Sequence, residues 1–205
     1  MPERYLVYPG RYDARHDLTT LLRALAATSA GPAPAGPAPA GSGALWPPRI
    51  VLVGASPEDR AALARAASRE GIGELISYTP GLSPERLAAV VAGARAVVLP
   101  VLSEAAGHSA IEAIACGTPV IASNVGVLPE IVAGAGIVVE PRAVDRLAAA
   151  IGAVWADDDV HERLAAAAAA RAAGSNRSWA DVAGETRAVY ASAATRAGTG
   201  PDRGR

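Results

Sequence analysis

Lysine and phenylalanine are both absent from this chain of 205 residues, and cysteine and methionine occur once each. A single cysteine excludes an internal disulfide and any multi-cysteine metal site, and it fits a reducing compartment. Aromatic residues make up only 4% of the chain, so although 51% is hydrophobic, Val, Ile and Leu must carry the packing. Much of the remainder is alanine, which favours helices more than it fills cores. No basic-then-apolar leader opens the sequence and no apolar run is long enough for a bilayer, so a soluble cytoplasmic domain without a transmembrane segment is expected. All 19 basic residues are arginine, set against 20 acidic ones for a net charge of −1. That balance gives no footing for nucleic acid or an acidic membrane.

Familiar site signatures are missing too. No G-x-G-x-x-G follows a strand, and there is no P-loop, nucleophile elbow or His-Glu-x-x-His zinc pair. His16, His108 and His161 are scattered, with no cluster of ligands around them. These absences argue against a dehydrogenase, a P-loop ATPase and a metal hydrolase, and no metal site is expected.

What is present is a run of short apolar strands, at 5–9, 49–53, 75–79, 96–100, 120–123 and 137–139, with helices between them. Leu18, Leu21, Leu22 and Leu25 repeat at helical spacing. Ser56-Pro57-Glu58-Asp59 reads as a helix start, with Ser as N-cap, Pro at the first position and acids in the first turn. Ser83-Pro84-Glu85 opens another, and helices over 143–155, 160–171 and 179–191 close the domain. Strands without polar alternation, each followed by a helix, imply an α/β fold: a single Rossmann-like, doubly wound parallel sheet with helices on both faces. One domain is expected over 1–195, carrying a Pro/Ala/Gly-rich mobile loop at 31–43 and a disordered tail at 196–205. Ligands in such sheets bind outside the carboxyl ends of the strands, so function must be read from the loops there.

The longest ordered signal runs from Leu99 to Pro141. Glu104 and Glu112 stand across a strand-loop-helix junction, with Gly107, His108 and Ser109 between them, then Gly117-Thr-Pro119-Val, and then Gly126-Val-Leu-Pro129-Glu130. A loop glycine lets backbone approach a ligand, and the following helix presents free N–H groups to an anion. Such a stretch can grip a sugar nucleotide with a carboxylate for sugar hydroxyls, amides for diphosphate and a carboxylate for ribose.

On these residues the chain resembles the C-terminal, donor-binding domain of family 4 retaining glycosyltransferases, one half of the GT-B fold. The resemblance extends from the Gly10-Arg11 loop to the helix at Trp179. It implies a hexosyl transfer from a UDP- or GDP-sugar to an acceptor hydroxyl with retention, with the nucleotide sugar as substrate and no cofactor required. It implies further that an N-terminal acceptor half is missing here, supplied as a separate domain or subunit. Glu104 would orient the transferred sugar, and Gly107, His108 and Ser109 would donate to the diphosphate. Glu112 would accept from the ribose hydroxyls, and Leu82 would pack on the base. Arg11, following Gly10, would neutralise the departing diphosphate, a cation stabilising charge that builds in the transition state.

Alternatives stand beside some of these roles. Ser109-Ala-Ile-Glu112 also reads as a capping box, although Glu104 and the Leu-Pro-Glu turn favour the ribose role. Arg11 could be an ordinary surface arginine, Cys116 reads as a small buried residue and His161 as a surface one. The family's usual lysine after the arginine is replaced by His16, following Arg15. Histidine is shorter than lysine and partly charged near pH 7. Ala105-Ala106 stands where a Gly-Phe pair is common. These departures support an alternative, a non-catalytic or degenerate nucleotide-sugar-binding module. A GT-B phosphorylase would need a pyridoxal-phosphate lysine, which this chain lacks.

Overall fold

A computed structural model describes residues 3–31, 46–174 and 178–198. Among these residues six parallel strands form one sheet: β1 (Leu6–Tyr8), β2 (Ile50–Val53), β3 (Ile76–Thr79), β4 (Ala96–Leu99), β5 (Val120–Ser123) and β6 (Gly136–Val139). Their order is β3-β2-β1-β4-β5-β6, so the sheet is doubly wound as expected. The helices are α1 (Leu18–Ala30), α2 (Pro57–Arg69), α3 (Pro84–Ala92), α4 (His108–Ala115), α5 (Leu128–Val132), α6 (Val144–Ala156), α7 (Asp158–Gly174) and α8 (Trp179–Gly198).

The chain divides into two compact units, residues 1–172 and 173–205. The first holds the whole sheet. The second contains α8, whose start is a capping box: Ser178 Oγ accepts from the Asp181 N–H at 3.2 Å, and the Asp181 carboxylate accepts from the Ser178 N–H at 2.7 Å. Residues 196–198, expected in the tail, belong to α8. The rest of the tail, from 199, and the Pro/Ala/Gly-rich loop from 32 onward lie outside the described residues. No helix among the described residues is long and apolar enough to cross a membrane.

Because successive side chains of a strand point to opposite faces, Leu6 and Tyr8 enter one core while Tyr5 and Val7 enter the other. The first face packs Leu21, Leu22 and Leu25 of α1 against Leu147, Ile151 and Val154 of α6. The second buries Ala110, Ala113 and Ile114 of α4 with Leu128 and Val132 of α5. Each fully buried leucine contributes about 2–3 kcal/mol before entropy is counted. Trp155 is buried among the aliphatic residues of the first face and makes up there for the lack of Phe. Helix starts follow the local code: Ser56 Oγ accepts from the Asp59 N–H at 3.0 Å, and Asp17 Oδ1 from the Thr20 N–H at 3.1 Å.

At the amino ends of the strands, the buried Arg95 donates from Nε to the Val154 carbonyl at 2.8 Å and from Nη2 to the Asp157 carbonyl at 3.2 Å. It also pairs with the Asp158 carboxylate, which accepts Arg4 Nη2 at 2.9 Å. One carboxylate between two guanidinium groups thus ties the starts of β1 and β4 to the α6–α7 junction. His161, read from sequence as a surface residue, is half-buried beside this cluster, and burial pushes its pKa below the ordinary 6.5. Asp158→Ala leaves both arginines without their counter-ion and is expected to lower the unfolding free energy by about 2–3 kcal/mol. Urea denaturation measures this, and an unchanged midpoint would show that the cluster adds nothing to stability.

Candidate functional site

The strand order reverses between β1 and β4. There α1 leaves toward one face and α4 toward the other, so the two loops part and open a crevice. A cleft of about 270 Å³ lies at that position. Gly10, Arg11, His16, Glu104, Gly107, His108 and Ser109 all line it, so seven of the sequence-derived site residues come together. Leu82 and Glu112 do not line it. Leu82 is half-buried against the second core, directly before the α3 N-cap Ser83. Glu112 is exposed on α4, one turn beyond His108 and on the same helix side, since residues four apart are neighbours.

The two loops are stitched together by backbone. The Leu102 N–H donates to the Arg15 carbonyl at 2.7 Å and the Asp17 N–H to the Pro100 carbonyl at 2.6 Å, around a bridge between His16 and Val101. Ser123 Oγ, at the end of β5, accepts from the Val101 N–H at 3.0 Å. The position of His16 is therefore fixed against the end of β4.

Glu104 folds back on its own loop. Its Oε1 accepts from the N–H groups of Ala105 at 3.0 Å, Ala106 at 3.0 Å and Gly107 at 2.9 Å. These bonds, the Gly107 N–H foremost, hold the carboxyl below its ordinary 4.5 against a smaller opposing effect of burial. The carboxylate is thus ionised at neutral pH and fixed in orientation by one oxygen.

Gly107 sets where α4 begins. It has φ 67° as the N-cap, a conformation that disfavours any side chain, and a Cβ there would lie 2.4 Å from Ile131 Cδ1, which would have to move. This left-handed turn starts the helix at His108 and places Ser109 inside it. The alternative capping box is therefore not formed: Ser109 is not the N-cap, and the Glu112 carboxylate makes no hydrogen bond to a described residue. The first-turn N–H groups of His108 and Ser109 lack intrahelical acceptors and carry the positive end of the helix dipole into the cleft.

The facing loop supplies cations. Arg11 is exposed and has φ 71°. The His16 side chain is only 9% exposed, and its Nδ1 lies 3.0 Å from Asp13 Oδ1. Arg15 also lines the cleft and grips the same carboxylate, from Nε to Oδ1 at 3.1 Å and from Nη2 to Oδ2 at 2.7 Å. Arg15, and His16 after it, hold the Asp13 carboxyl well below the usual carboxylate range. Sequence reasoning passed over Asp13 and Arg15 because it compared only the position of His16 with the missing lysine. The signal available was Asp13-Ala-Arg15 placed directly after the strand-end Gly10-Arg11.

A doubly wound sheet with cations on one loop and an ionised carboxylate beside a helix N-terminus on the other defines a domain suited to a phosphorylated, hydroxyl-rich ligand. The chain belongs to the glycosyl transferases group 1 family, whose signature matches residues 1–171, and it has the architecture of a GT-B glycosyltransferase domain. Among curated relatives it is similar to an MMP alpha-(1->4)-mannosyltransferase of Mycolicibacterium hassiacum, 39% identical over 129 residues, covering 62% of this chain and 31% of that protein. It is likewise similar to a D-inositol 3-phosphate glycosyltransferase of Streptomyces griseus, 38% identical over 141 residues, covering 68% of this chain and 29% of that protein. The chain thus spans about a third of the length of the curated relatives it matches. Among solved structures, a sucrose-phosphate synthase of Thermosynechococcus elongatus superposes with a TM-score of 0.73 at 27% identity, covering 96% of this chain and 47% of that one. The C-terminal domain of a group 1 glycosyl transferase from Francisella tularensis shares the fold at a TM-score of 0.68 and 19% identity, covering 85% of this chain and 86% of that one.

The turn after β5 presses directly on the cleft. Gly126 has φ 53°, and a Cβ there would fall 1.7 Å from the Glu104 carbonyl oxygen. Gly126→Ala is expected to displace the Glu104 loop and to lower the unfolding free energy by at least about 2 kcal/mol. Chemical denaturation reads this, and a variant as stable as the parent would mean that the two loops do not depend on each other.

Proposed function

We propose that this domain binds the donor of a retaining hexosyl transfer, a UDP- or GDP-sugar, in the cleft between the β1–α1 and β4–α4 loops. The observation that carries the reading is the meeting of Arg11, His16 and Glu104 with the first turn of α4 around one crevice. The diphosphate lies against the free N–H groups of His108 and Ser109, where Gly107, its own N–H held by Glu104, lets the backbone come close, and faces Arg11 and His16, with Arg15 beside them. Charge grows on the distal phosphate as the bond to the sugar breaks, and preplaced cations and amides lower that barrier because they interact most strongly with the developing charge. Side chains and helix amides meet this charge, so the step as proposed requires no cofactor. Glu104, held by Oε1, offers its second oxygen to a sugar hydroxyl. Glu112, one turn further along α4, accepts from the ribose, and Leu82 packs on the base.

An acceptor half completes the reaction, as an N-terminal Rossmann-like domain of a longer chain or as a separate subunit. Closing the two halves brings donor and acceptor together, which supplies much of the rate advantage of any transfer. By itself this domain is expected to bind donor and transfer little.

Calorimetric titration with UDP, GDP, UDP-glucose and GDP-mannose tests the reading beside Arg11→Ala and Glu112→Ala. Saturable binding to one nucleotide family is expected, weakened at least about tenfold by each substitution, as for loss of a hydrogen bond to a charged group. No binding to any of the four at millimolar ligand would rule out a donor site in this chain.

A further inference from the structure

The β1–α1 loop hangs from a buried tyrosine. Tyr8, the last residue of β1, is fully buried, and its hydroxyl donates to the Arg11 carbonyl three residues on. Its ring meets the Tyr12 ring edge-on at 5.5 Å between centroids, and the His16 ring edge-on at 6.2 Å. Tyr12 in turn donates its hydroxyl to the Val53 carbonyl at 2.8 Å, tying the loop to the end of β2. In a chain with five tyrosines and no phenylalanine, two of them brace this one loop.

The brace falls where the backbone most needs it. Gly10 has φ 116° and Arg11 φ 71°, so two successive residues take conformations that side chains disfavour, and one of them is not glycine. A residue bearing Cβ stays in the left-handed region only when its surroundings over-determine it. The phenolic O–H of Tyr8 fixes the peptide plane that follows Arg11, and so the direction in which the guanidinium leaves the chain. Burial raises the Tyr8 pKa above the ordinary 10.0, so this hydroxyl keeps its proton, and its donor role, at neutral pH.

We propose that Tyr8 is a positioning residue: through its hydroxyl it holds Arg11 in the left-handed conformation that aims the guanidinium at the diphosphate. The proposal rests on the donor-site reading above. Tyr8 touches no ligand in this account and acts only through Arg11. Its loss therefore weakens binding of nucleoside diphosphates and leaves binding of the phosphate-free nucleosides unchanged.

The test is a double-mutant cycle of Tyr8→Phe and Arg11→Ala in the full chain, titrated with UDP, GDP, uridine and guanosine. Phe keeps the ring and its edge contacts, and a thermal melt of each variant checks folding. Tyr8→Phe is expected to weaken diphosphate binding about threefold to tenfold, the worth of one hydrogen bond, and to have no further effect once Arg11 is alanine. A purely structural role would lower nucleoside and diphosphate binding alike and persist in the Arg11→Ala background, which would overturn the proposal. If Arg11→Ala weakens diphosphate binding and Tyr8→Phe does not, the donor site stands and the role of Tyr8 is refuted. If neither substitution changes diphosphate binding, both are refuted.

Discussion

Everything at the carboxyl end of this sheet depends on how the β1–α1 and β4–α4 loops are joined where the strand order reverses. Two backbone hydrogen bonds, from Leu102 to Arg15 and from Asp17 to Pro100, close that seam, and Ser123 anchors it from β5. Without the seam, the diverging paths of α1 and α4 would leave a wide mouth and two independent loops. With it, the opposite walls of the crevice are held together at their base. The cations of one loop then face the carboxylate and helix amides of the other, and the geometry comes from backbone bonds between the loops at the end of the sheet.

The walls themselves are conformationally costly and are maintained by what lies behind them. Gly10, Arg11, Gly107 and Gly126 all have positive φ. Each abuts a specific neighbour: the Tyr8 hydroxyl at the Arg11 carbonyl, the Val53 carbonyl at Gly10, α5 at Gly107 and the Glu104 carbonyl at Gly126. The charges follow the same pattern. Glu104 is stabilised by three N–H groups of its own loop, and Asp13 gathers Arg15 and His16. Glu104, Asp13 and Arg15 are thus compensated within their own loops, while Arg11 stands exposed beside them. At the other end of the sheet, the Arg4 and Arg95 guanidinium groups are bound to the Asp158 carboxylate and to the carbonyls of Trp155, Val154 and Asp157.

The sheet was readable in the sequence because its strands are continuous apolar runs between glycine, proline and serine punctuation, and a buried parallel strand needs nothing more. Ser56-Pro57 and Ser83-Pro84 marked helix starts for the same local reasons and are found as such. The site was readable only in part. Gly10, Arg11, His16, Glu104, Gly107, His108 and Ser109 converge, but the helix start at Gly107 was obscured, because Ser109 and Glu112 mimic a capping box and the left-handed turn that displaces it leaves no mark other than glycine. Asp13 and Arg15 escaped because their significance lies in a three-way contact with His16, and no periodicity encodes such a contact. Tyr8 escaped for a related reason: as part of an apolar strand it reads as core, and only the path of the next four residues shows that its hydroxyl holds the loop.

The central claim is that this seam, and no other part of the surface, receives the nucleotide diphosphate. Amide chemical-shift mapping of the nitrogen-15-labelled chain during titration with UDP and with GDP tests it most directly. The account predicts that residues 10–16 and 105–109 shift together, at one ligand concentration and for one of the two nucleotides more than the other. Shifts confined to the opposite end of the sheet, around Arg95 and His161, or no shifts at saturating nucleotide, would contradict it.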